Sequence, residues 1–139
     1  MRKTDELIDS DLHERGISAF IVETWRARCR EQLANQKKRP AFLASLPHFA
    51  HWTEASVVHI APNKQFPPTV VEQLRTLGAS NSCWVISSEP SLDRKQMGLD
   101  IAVRDVLGLA NGTIISCVPG RLAYFEGEGL GNRFILHVR

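Results

Sequence analysis

Apolar residues recur along this chain in two rhythms, and the change between them divides it. Near the N-terminus Ile17, Ile21, Trp25, Cys29 and Leu33 repeat every four residues, and Phe20 widens the stripe. That spacing predicts one long helix over residues 17–36, with Ser18 as a cap. Pro40 ends it, because proline disfavours helical geometry in the residue before it. Ahead of this helix, Thr4 can cap a shorter one over residues 5–15, with Asp5 and Glu6 in its first turn and Gly16 at its end. Residues 69–77 place Val70, Val71, Leu74 and Leu77 on one helical face, between Pro68 and Gly78. Residues 97–107 do the same with Leu99, Val103, Val106 and Leu107, before Gly108.

The second rhythm is alternation. Residues 113–118 and 121–126 read as strands joined by Pro119-Gly120, which suits the centre of a type II turn. Ile115 and Cys117 point one way, and Ile114, Ser116 and Val118 the other. Leu122 and Tyr124 share a face opposed by Ala123 and Phe125. After a glycine-rich turn, Phe134, Leu136 and Val138 share a face of a third strand. SVVHIA (56–61) and CWVIS (83–87) are nearly all apolar, as expected of central strands covered on both faces. With the 69–77 helix between them they form a βαβ unit, for which a right-handed crossover and parallel strands are expected. AFLASLPHFAHWT (41–53) suits a short helix or a packed loop, and SSEPSLDRKQ (87–96) a polar turn.

The expected fold class is therefore α/β (α+β): two N-terminal helices, then βαβαβββ. Its mixed sheet has about five strands and a C-terminal antiparallel meander. With 139 residues, 43% of them hydrophobic, one domain with a real core is expected, a helical segment at 1–40 joining an α/β core at 55–139.

Charge changes the picture locally. The net charge is only +2, too small to imply nucleic acid by itself. Yet Arg26, Arg28, Arg30, Lys37, Lys38 and Arg39 fall together against Glu31 alone. They read either as a solvated face near a helix C-terminus or as a basic patch for nucleic acid, phosphate or an acidic protein. The three cysteines, Cys29, Cys83 and Cys117, lie inside apolar elements, which suits reduced thiols and a cytoplasmic location. The N-terminus has no signal-peptide pattern, and no apolar run is long enough to span a bilayer.

Candidate chemistry is sparse. No cofactor is expected: APNKQFPP follows the first strand where a dinucleotide fingerprint would place GxGxxG. His48 and His51 would share a helical face, but no further ligand is visible, so no metal site is expected. A small-enzyme reading would use Cys117 or Glu126 with His59 or His137, although Cys117 reads as a mid-strand thiol between apolar residues. A protein-binding reading uses the acidic residues Glu89, Asp93, Glu126 and Glu128, all expected to be exposed; complementary charge would steer them to a basic partner.

The C-terminal half, from CWVISSEPSLDRKQMGLDIAVRDV to GTIISCVPGRLAYFEGE, resembles small bacterial proteins, some of them immunity proteins encoded beside toxin genes. That resemblance implies a non-enzymatic cytoplasmic protein that binds a cognate toxin and occludes its active site. It carries over no functional residue.

Overall fold

The computed structural model describes residues 8–139. Six strands form one sheet in the order β1-β6-β5-β4-β2-β3, and every neighbouring pair is antiparallel. The strands are β1 (Val57–His59), β2 (Ser82–Ser87), β3 (Lys95–Gly98), β4 (Thr113–Val118), β5 (Leu122–Glu126) and β6 (Arg133–His137). The helices are α1 (Ser10–Gly16), α2 (Glu23–Ala34), α3 (Arg39–Ser45), α4 (Pro67–Thr76) and α5 (Leu99–Val106). The α+β class stands, but the sheet is antiparallel rather than mixed. β1 and β2 do run the same way, yet β6, β5 and β4 lie between them.

Two crossovers organise this sheet. The chain passes from β1 over three strands to β2 through α4, and from β3 back over β2 to β4 through α5. These crossovers travel in opposite directions from oppositely directed strands, so a common hand places both helices on one face. α4 and α5 do share one core with Val85, Ile115, Leu122, Tyr124 and Ile135. The N-terminal segment covers the other face, where Ile17, Phe20, Cys29, Leu33 and Phe42 pack on Ile86, Ile114, Ala123, Phe125 and Phe134.

The long N-terminal helix is interrupted. After α1 comes a 3-10 turn at Ile17–Phe20, and the backbone is then extended through Ile21 and Val22 before α2. Two β-branched residues stand at the break, where helix propensity is weak. Tertiary pairing decides the outcome: Ile21 bridges Trp52, Val22 N–H donates to the His51 carbonyl and Thr53 N–H to that of Phe20. α1 is capped by the Asp9 side chain, which accepts from Leu12 N–H; the expected cap at Thr4 lies outside the described residues. Pro40 sits in the first turn of α3 instead of ending α2, since a first-turn position wastes no hydrogen bond.

Three strand expectations also change. SVVHIA contributes a three-residue edge strand paired only with β6. The polar stretch ahead of α5 contains β3, an edge strand whose sequence KQMG has little β-propensity. Between Ser116 and Val118 a bulge shifts the register, so Val118 joins Cys117 on the α4–α5 side rather than opposing it. The Pro119-Gly120 turn forms as expected: Gly120 has φ 70° and Arg121 N–H donates to the Val118 carbonyl at 3.0 Å. Its tip meets the end of α1, where a Cβ on Gly16 would lie 2.4 Å from the Gly120 nitrogen.

Candidate functional site

Arg39 is the residue from which the site is built. Asn35 ends α2, and its side chain accepts from the N–H groups of Lys37 and Lys38, turning the chain into α3. Arg39 is thereby carried inward. Its guanidinium donates through one terminal nitrogen to Glu14 of α1 and through the other to Asp93 Oδ1 at 2.8 Å. Both acids are held from a second side. Trp84 Nε1 donates to Glu14 Oε2 at 2.9 Å, and Ser87 N–H donates to Asp93 Oδ1 at 2.9 Å. Burial disfavours charge on Arg39, but the paired carboxylates more than offset it and raise its pKa. Its Nε is buried without a hydrogen-bond partner.

Against this buried triad lies a cleft of about 330 Å³ between α1, α2 and the β2–β3 hairpin. Leu33 and Trp84 give it an apolar floor, with Glu14 beside them. Arg15, Arg30 and Arg94 reach it from three separate elements. Arg15 is spoken for by Asp11 at 2.9 Å, an exposed pair of small energetic weight. Arg30 and Arg94 form no ion pair among the described residues. Glu14, which also lines it, is bonded to Arg39. A second, more open cleft of about 500 Å³ lies beyond, lined by Lys37, Pro40, Leu43 and Asp93, and Arg94 lines both. Arg94 has φ 62°, a left-handed conformation uncommon for a residue with a side chain. The Asp93 contacts and the Arg94 N–H donation to the Val85 carbonyl fix that turn.

The expected acidic contact face does not assemble. Glu126 is only 1% exposed. Its Oε2 accepts from Gly108 and Ala110 N–H, both at 2.8 Å, and its Oε1 from the Tyr124 hydroxyl at 2.7 Å. Gly108 and Ala110 both have positive φ, so this carboxyl group fastens an unusual turn after α5. Burial and the nearby carboxyl group push the Tyr124 phenol well above its ordinary range. Asp93 belongs to the triad. Glu89 is half-buried and binds its own turn through Ser91 N–H and hydroxyl. Glu128 alone of the four is exposed, with His48 at 3.6 Å.

The basic patch is similarly divided. Arg26 Nε donates to the Ile21 carbonyl at 2.7 Å, Arg28 lies over the Trp25 ring at 4.8 Å, and Lys38 pairs with Glu31 at 2.9 Å. Arg39 is buried. Arg30 and Lys37 remain, one at each cleft. Neither Trp84 nor Arg94 stood out in the sequence. Trp84 reads there as one more strand residue, and Arg94 as part of a polar turn.

The enzyme candidates lack an accessible reacting group. Cys117 is buried, and its thiol is held well above the usual range by desolvation. Cys83 is pushed up to about 12 for the same reason. Buried Glu126 is occupied as described. His59 stands on the exposed edge strand with Phe134 as its ring neighbour, and His137 on β6. His48 and His51 part company: His51 stacks on Trp25 at 3.9 Å, while His48 faces Glu128. Among the described residues no three His, Cys, Asp or Glu side chains are grouped to hold a metal.

One pair escaped the sequence reading. His13 Nδ1 and Ser116 Oγ lie 2.6 Å apart, hydrogen-bonded beneath α1. Burial lowers the His13 pKa against the opposing pull of Asp9. A serine beside a histidine suggests a nucleophile, but Ser116 is 0% exposed, so the bond ties α1 to β4 rather than activating a hydroxyl. No described helix is long and apolar enough to cross a membrane. Set against protein-family models, curated proteins and solved structures, the chain matches none of them.

Proposed function

We propose that this protein is a non-enzymatic binding protein that engages a protein partner through the cleft beneath Arg30 and Arg94. The carrying observation is that two guanidiniums without ion pairs among the described residues line one cleft with an apolar floor, while the acid beside them is hydrogen-bonded to Arg39. Such a surface is complementary to an acidic group delivered by a partner, and its charge would steer the encounter. The buried triad holds α1, α3 and the β2–β3 turn in fixed relation, so little ordering cost falls on binding. The resemblance of the C-terminal half to immunity proteins gives the partner a specific form: a cognate toxin whose active site is covered in the complex. Three buried, unpaired cysteines accord with a reducing bacterial cytoplasm.

The test is calorimetric titration of the purified protein with the product of the neighbouring gene. Binding is expected, weakened about tenfold or more by Arg30→Glu, a change at an exposed helix position. Absence of binding defeats the partner assignment. A complex indifferent to Arg30→Glu and to Arg94→Glu defeats the cleft as its seat.

A further inference from the structure

The two clefts on either side of Arg94 carry the reading further, to the chemistry of the segment that fills them. This step rests on the cleft being the binding surface. Arg94 lines both hollows; Arg30 stands in one and Lys37 in the other. Each hollow therefore has one cation of its own without an ion pair among the described residues, and the two share Arg94. Among the described residues, the acids that line the two clefts each have a partner: Glu14 and Asp93 share Arg39, and Asp11 pairs with Arg15. Pro40 and Leu43 on one side, and Leu33 and Trp84 on the other, supply apolar contact for side-chain stems.

The conformation of Arg94 points the same way. A φ of 62° suits glycine, yet a long cationic side chain stands there. The hairpin is pinned by Asp93, which accepts from Arg39 and from Ser87 N–H, so the turn does not depend on the Arg94 side chain. A strained position kept by its surroundings is where a working side chain is found. We infer that Arg94 is the specificity residue of a two-part site for an extended acidic peptide segment, with one carboxylate on each side of the Arg94 guanidinium. A nucleic acid fits less well. Arg26 and Arg28 on α2 and Lys38 at the start of α3, which would extend a phosphate track, are bound to a carbonyl, an indole and a carboxylate of the same chain.

The experiment uses the full chain and a fluorescein-labelled oligoglutamate peptide, followed by fluorescence anisotropy at about 0.15 M salt, where remote charges are screened. An oligolysine peptide and a single-stranded DNA of similar length are run in parallel. Saturable binding of oligoglutamate is expected, and none of oligolysine. Arg94→Gly, Arg30→Glu and Lys37→Glu should each raise Kd about tenfold or more. Lys64→Glu, remote on the connection to α4, should leave Kd within about twofold. Arg94→Gly should melt within a few degrees of the unaltered protein, because glycine accepts the positive φ. Tighter binding of DNA than of peptide overturns the inference. So does a Lys64→Glu effect equal to that of Arg30→Glu, which would mean diffuse attraction. A fall of about 10 °C or more in Arg94→Gly makes the residue structural and overturns it as well. If oligoglutamate fails to bind while the toxin complex forms and still weakens with Arg30→Glu, the acidic-segment chemistry is refuted and the binding surface stands.

Discussion

Replacing Arg39 by methionine tests whether the buried triad holds the N-terminal layer to the hairpin. Methionine matches the length of the stem and removes the charge. The Arg39 side chain is 4% exposed, and those of Glu14 and Asp93 are 15% and 14% exposed. Solvent therefore screens the pairs little, and surface-pair values do not apply. Two charge-assisted contacts are lost, each worth roughly 1.5–3 kcal/mol. Both carboxylates keep one donor, from Trp84 Nε1 and Ser87 N–H, and the unpaired Arg39 Nε disappears with the side chain. The net cost should be about 3 kcal/mol, within the range for breaking a buried pair by removing one partner. That is a large part of the roughly 5–15 kcal/mol that stabilises a domain. Urea unfolding followed by tryptophan fluorescence measures it, with the slope m unchanged if the unfolded state is the same. The triple variant Arg39→Met, Glu14→Gln, Asp93→Asn should recover part of the loss, since no unpaired charge is left behind. A cost below about 1 kcal/mol for Arg39→Met, or a triple variant less stable than the single, would refute this account of the triad.

Glu126→Gln should cost about 2 kcal/mol by thermal or urea unfolding, because the amide keeps one acceptor oxygen where the carboxyl group serves three donors. His13 has a folded pKa below its ordinary 6.5, so the unfolded chain binds more protons in that window. Its contribution is present above about pH 6.5 and lost as pH falls below it; His13→Gln should flatten stability against pH across that interval. The thiols of Cys29, Cys83 and Cys117 are all buried, and none should react with a thiol reagent until the chain unfolds, when all three should. Fast labelling of the native protein would contradict their placement.

The parts legible in the sequence were those fixed by near neighbours. Leu122 and Tyr124 face one core and Ala123 and Phe125 the other, as alternation requires. The Pro119-Gly120 turn and the apolar face of α4 are equally local. The parts that escaped depend on distant partners. Ile21 fits a helical stripe, but pairing with residues 51–53 draws it and Val22 into extended backbone. Val118 changes face through a bulge that alternation cannot foresee. β3 forms because β2 offers it an edge, not because KQMG favours a strand. The site is wholly of this second kind. Arg39 meets partners 25 and 54 residues away, and its place in a run of cations suggested exposure rather than burial. Glu126 misled for the same reason: two of its three donors, Gly108 and Ala110, lie on a turn 18 and 16 residues away.

The meeting of Gly16 with Gly120 has a bearing on the cleft. Backbone touches backbone there, so the spacing between α1 and the sheet is a main-chain dimension that no rotamer can adjust. Glu14 and Arg15 stand just before that point of contact. An alanine at position 16 would act as a shim, lifting α1 and moving one wall of the site relative to Trp84 without altering a single residue that lines it. The width of the opening is thus set by an atom that is missing, and evolution could retune it from a position no ligand would touch.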